Sequence, residues 1–160
     1  MIPWLIIDGC NLVHRCGAPP GGSARDFESC RRLWIAALEK LAGVLAGRLT
    51  LVFDGCRAPP APEPCHGPVE VLFSSGGQTA DSVIERLAYG ARPGELTVVS
   101  SDRLEVQTAS ASGAEGMSCS VFYDLVRETQ ARITSGLSAG RRTAPSGKPL
   151  VNPFDGLQLQ

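Results

Sequence analysis

No apolar run in this chain approaches the roughly 20 residues that a membrane-crossing helix needs. The opening segment, Met1-Ile-Pro-Trp-Leu-Ile-Ile-Asp8, has neither a basic n-region nor a small-residue cleavage site, so it reads as a first strand and not as a secretory signal. A cytoplasmic location is the expectation. Also missing is any C-x-x-C pair among Cys10, Cys16, Cys30, Cys56, Cys65 and Cys119, and His14 and His66 fall in no zinc-finger spacing. Free thiols are expected, with no zinc site. No G-x-G-x-x-G follows the first apolar run, Ser146-Gly-Lys148 lacks the leading glycine of a phosphate-binding loop, and there is no G-x-S-x-G elbow. A phosphatase of the haloacid dehalogenase type would carry a second aspartate two residues after the first, where Cys10 stands. A histidine mechanism would rest on His14 or His66, each alone in its stretch, which is weak support.

What is present suits one globular domain: 160 residues, 43% hydrophobic and 19% charged, are enough to bury a core. The formal net charge of −1 neither proposes nor excludes a nucleic-acid partner. Acids gathered at one site can mask basic rims in the average.

The apolar pattern predicts strands at 4–7, 49–53, 69–73 and 96–100, with a brief last strand near 113–117. A helix starts at Asp26, with Phe27, Cys30, Trp34, Leu38, Leu41 and Leu45 at three- and four-residue steps. Thr79 caps a second helix running to about Tyr89, with Val83, Ile84 and Leu87 inward. A short helix is weakly signalled over Leu104 to Thr108. Ser118 caps the last helix, with Val121, Phe122, Leu125, Val126 and Ile133 on its apolar side. Asp8-Gly9-Cys10-Asn11 reads as a turn, and prolines at 59, 60, 62, 64 and 68 make 54–68 a long loop. This order predicts an α/β domain with a mainly parallel sheet over about 1–135. The Gly/Ser/Pro-rich tail, 136–160, carries Arg141, Arg142 and Lys148 and no acid before Asp155; it reads either as solvated or as lying along an RNA backbone. Leu150-Val151 and Pro153-Phe154 would let it dock on the domain instead.

Four aspartates sit where an apolar run ends or a helix begins: Asp8, Asp54, Asp81 and Asp102. A parallel sheet brings its strand ends to one edge, so carboxylates scattered in sequence converge there. Converging carboxylates repel unless a cation lies between them, and Mg²⁺ or Mn²⁺ suits oxygen donors. The pattern therefore points to metal-assisted chemistry on a phosphate. Each aspartate also has a plain structural reading: Asp8 and Asp102 as caps, Asp54 in a generic Asp-Gly turn, Asp81 stabilised in the first turn of a helix. Glu85, one turn beyond Asp81, either joins the site or is a solvated helix residue. Asn11 is placed to orient a ligand or hold Asp8. Arg15, Arg25, Arg57 and Arg103, near the expected active edge, are candidates to hold phosphates.

Taken together, Ile6-Ile-Asp-Gly-Cys-Asn11, Leu51-Val-Phe-Asp-Gly55, Val71-Leu-Phe73 leading into Gln78-Thr-Ala-Asp-Ser82, and Val98-Val-Ser-Ser-Asp-Arg103 resemble the YacP-like branch of the NYN domains, within the PIN-like nuclease superfamily. The likeness runs from about residue 3 to 134. It implies a PIN-like three-layer α/β/α sandwich and a divalent-metal-dependent ribonuclease that hydrolyses RNA; in-line attack by metal-activated water is expected to leave 5′-phosphate and 3′-hydroxyl ends. By position it implies Asp8, Asp81 and Asp102 as the catalytic acids. Asp54 joins them as a metal ligand, and Asn11 and Ser101 stand in support. Some relatives cut messenger RNA in association with ribosomes, which suggests RNA, and the ribosome, as partners. Cys10 departs from the family, which commonly carries a tyrosine there. The competing readings are a PIN-like module that grips RNA or a ribosomal surface without cutting, and a metal-dependent DNase or phosphatase.

Overall fold

The computed structural model describes residues 2–55, 68–75, 77–90, 92, 94–111 and 113–142, with side chains except at 104, 105, 109 and 137–142. Five strands form one all-parallel sheet in the order β3-β2-β1-β4-β5: β1 Ile2–Asp8, β2 Ala46–Phe53, β3 Val69–Phe73, β4 Leu96–Val99 and β5 Glu115–Met117. Helices α1 (Gly9–Cys16), α2 (Phe27–Leu45) and α5 (Cys119–Arg142) gather with one face, whose core includes Leu5, Ile7, Leu51, Phe53 and Val99. Helix α3 (Ala80–Tyr89) covers the other, over Ile6, Val52, Leu96 and Val98, and α4 (Arg103–Ala111) packs beside it against β5. The result is the expected three-layer sandwich. Period-2 alternation explains it, since successive residues of β1 feed opposite cores.

Trp34, Leu38, Leu41 and Leu45 of α2 interlock with Phe122 and Val126 of α5. Trp34 is fully buried, stacks on Phe122 with ring centroids 6.1 Å apart, and its indole N–H donates to the Gly17 carbonyl at 2.8 Å. Large side chains buried to this degree each contribute ~1.5–3 kcal/mol.

Three expectations are corrected. The stretch after Asp8 is a helix, not a turn: Asp8 caps it and Leu12 and Val13 bury inward. Val121 is 56% exposed and does not join the apolar side of α5. Helix α5 also runs on to Arg142, through the start of the expected tail. The proline-rich loop, Arg57 and residues beyond 142 lie outside the described residues. Cys10, Cys16, Cys30 and Cys119 are free thiols, while Cys56 and Cys65 lie outside them.

Candidate active site

The strand order places β1 beside β4, and the chain leaves these neighbours toward opposite edges of the sheet. Connections that diverge from adjacent strands open a crevice at the carboxyl ends of the sheet. Asp8, the last residue of β1, stands at that crevice, and Asp102 lies three residues after β4 ends.

Asp8 is 2% exposed and serves as the N-cap of α1. Its Oδ1 accepts the Asn11 backbone N–H at 2.9 Å and its Oδ2 accepts the Asn11 side-chain amide at 2.7 Å. Asn11 thus holds the carboxylate, one of the two roles its sequence position suggests. Asp54 follows β2, and its Oδ1 accepts the Ala80 N–H at 2.9 Å. Asp54 therefore caps α3 from a neighbouring strand and fixes the turn from which Asp81 projects. Thr79 completes that terminus by accepting the Ser82 N–H at 3.2 Å. The Asp102 N–H donates to Ser100 Oγ at 3.0 Å, and the Asp102 carbonyl accepts from Val106, opening α4.

Burial is the main force pushing the Asp8 carboxyl above its ordinary value of 3.8; the Asp54 charge adds to it, and the Asn11 hydrogen bonds oppose it. Asp81 is also pushed up, first by partial desolvation and then by the charges of Asp8, Asp102, Asp54 and Glu85. The charges of four acids, Glu85 the weakest of them, thus reach Asp81. Hard carboxylate oxygens that repel one another in this way fit Mg²⁺ or Mn²⁺. Among the described residues no three form a ready-made metal cage. Mg²⁺ asks for less, since it commonly takes one or two carboxylates and completes its shell with water and substrate phosphate oxygens.

A cavity of about 660 Å³ opens beside the acids and shares Asp102 with them. Arg15 and Arg103 line it, as does Ser101, whereas Arg25 sits on the loop ahead of α2 and does not. Asp8 and Asp81 lie outside its wall.

Sequence reasoning missed several supporting residues. A Cβ on Gly9 would lie 2.2 Å from Phe53 Cε1, and one on Gly55 would lie 1.7 Å from the Ser74 carbonyl oxygen. Both chain exits therefore need glycine for close approach. The repeated Asp-Gly pair, at 8–9 and 54–55, was the available signal. Cys10 Sγ accepts the Asp54 N–H at 3.4 Å, tying the ends of β1 and β2 together. At the position where the family commonly carries tyrosine, this thiol works as a small acceptor. Buried Ser100 had only its place in a polar lead-in to mark it.

The pattern of the YacP-like NYN domain matches residues 5–154. This chain belongs to that family. YacP-like NYN domains are PIN-like nucleases, and the all-parallel sheet with helices on both faces is the PIN-like fold. Among solved structures, this NYN domain is similar to Rae1 (YacP) from Bacillus subtilis, with a TM-score of 0.66 and 26% identity over 90% of this chain and 84% of the other. A mutant of the same protein gives a TM-score of 0.66 and 25% identity over 92% and 86%. No curated protein matches the chain.

Proposed function

We propose that this NYN domain is a divalent-metal-dependent RNA endonuclease whose centre is Asp8, Asp81 and Asp102, with Asp54 beside them. The observation that supports the reading is that the charges of Asp8, Asp102 and Asp54, from the ends of neighbouring strands, all act on Asp81. A bound Mg²⁺ or Mn²⁺ would supply Lewis acidity, lowering the pKa of water and offsetting charge on the phosphate in the transition state.

The chain's own residues do the positioning. Asn11 holds both oxygens of Asp8, which keeps that carboxylate in one orientation. Asp54 fixes the first turn of α3 and with it Asp81. Ser100 sets the backbone at Asp102 through its hydroxyl, and Ser101 would stand beside it in support. Arg15 and Arg103 would hold phosphates flanking the cut, and Arg57 and Arg25 remain proposed contacts further along the strand. Attack by water in place of the ribose hydroxyl leaves 5′-phosphate and 3′-hydroxyl ends. We place the substrate among single-stranded and messenger RNAs. The setting is the cytoplasm, where thiols such as Cys16 and Cys30 stay reduced, with the ribosome as a partner that delivers the RNA.

Cleavage of end-labelled single-stranded RNA by purified protein, with Mn²⁺ and with EDTA, tests the reading. Asp8→Asn and Asp81→Asn should each lose at least ~100-fold in rate, the order expected when a charge aimed at the transition state is removed. Full cleavage by either variant, or in EDTA, sinks the scheme. RNA binding without cleavage by wild type would favour the noncutting module.

A further inference from the structure

The cavity beside Asp102 is walled by pieces of α1, α4, β5, the stretch that follows β4 and the start of α5. Asp102 brings one carboxylate to its wall, and two arginines, Arg15 and Arg103, outnumber it. Arg15 and Arg103 are exposed at its rim, and neither makes an ion pair with a described residue. The positive end of α5 faces it through Ser118, which accepts the Val121 N–H at 3.3 Å and lies 3.1 Å, oxygen to oxygen, from Ser120. The dipole at a helix start favours an anion. Cys16 adds no negative charge: burial, then the neighbouring Cys119, push its thiol up to about 11, and it donates to the Cys119 carbonyl at 3.5 Å. Val106 and Met117 supply an apolar wall, close-set because Gly116 has no Cβ to strike Val106. Gln107 brings an amide able to pair with a base edge.

We propose that this cavity is a nucleotide subsite of the same nuclease. It would take one unstacked nucleotide of the RNA strand adjoining the scissile phosphate, with the nucleotide's phosphate between Arg15, Arg103 and the start of α5. The assignment rests on the nuclease reading above. It adds to it that the substrate must be unpaired at this position, because a pocket of about 660 Å³ suits a single small ligand and not a duplex.

The test is a titration of ¹⁵N-labelled protein in EDTA with a 5′-phosphorylated tetrauridylate and, separately, with UMP, read by amide chemical shifts. The tetranucleotide should shift Arg15, Ser101, Gln107, Gly116 and Ser120. Arg15→Ala and Arg103→Ala should each weaken its binding roughly tenfold and lower the salt dependence by about one phosphate contact. Shifts confined to other parts of the surface, unchanged affinity in both arginine variants, or no binding would overturn the subsite. UMP binding as tightly as the tetranucleotide would also overturn it, since the pocket would then serve a free nucleotide. Because the titration needs no metal and no turnover, it separates the two readings. Cavity shifts without Mn²⁺-dependent cleavage would leave the subsite and remove the nuclease, and cleavage without cavity shifts would do the reverse.

Discussion

Asp8 is held between two opposing influences. Burial and the charge of Asp54 favour its protonated form, while the backbone and side-chain amides of Asn11 favour the carboxylate. A metal ligand must be ionised, so the Asn11 side chain acts through Asp8 as a positioning residue. Asn11→Ala removes the 2.7 Å bond to Oδ2 and leaves the backbone bond to Oδ1. A hydrogen bond to a charged group is worth ~1.5–3 kcal/mol, so losing it raises the Asp8 pKa further. The acid limb of the pH–rate profile should therefore move to higher pH, with the rate recovering as pH is raised. A uniformly lower rate across pH, with the limb in place, would show that Asn11 matters only for folding or packing.

At the scale of elements, what positions the acids is a contact between neighbours that are distant in sequence. The start of helix α3, capped by Thr79, is also held by Asp54, which lies 26 residues before Ala80 and accepts its N–H. Asp54→Asn keeps an acceptor and should stay within about 0.5 kcal/mol of wild-type stability, whereas Asp54→Ala should lose about 1 kcal/mol, the usual cost of a missing cap. Urea unfolding compares the two, and equal midpoints would show that the cap carries no weight. The sequence made much of this architecture legible. The strands expected at 49–53 and 69–73 lie within strands that the structure forms, and Thr79 begins α3 by the capping rule. It hid α1, because Asp8-Gly9-Cys10-Asn11 is spelled like a turn and the helix is only 8 residues long. It also hid the bond from Asp54 to Ala80, since no local pattern records which strand end meets which helix start. The aspartates were legible as candidates; that their charges act on one another could come only from the strand order, with β1 set between β2 and β4.

For the whole molecule, the acidic crevice is a stability cost relieved either by protons or by a cation. Both Asp8 and Asp81 have folded-state pKa values raised above 3.8. Such a group binds its proton more tightly in the folded than in the unfolded chain. Its contribution therefore favours folding at low pH and is lost as pH rises through the raised value. A divalent cation acts in the opposite direction, because it competes with those protons and binds best when both groups are ionised. At a concentration about 100 times its dissociation constant, a ligand that binds only the folded state adds ~2.7 kcal/mol, or about 5–10 °C in Tm for a chain of this size. The Tm gain from Mn²⁺ over EDTA should thus be small near pH 5, grow toward pH 7.5, and shrink sharply in Asp8→Asn and Asp81→Asn. Arg103→Ala, outside the carboxylate group, should keep the full gain. Differential scanning calorimetry reads all four proteins. A gain that is the same at both pH values, or that survives in both aspartate variants, would place the cation away from this crevice and dissociate the acids from the chemistry assigned to them.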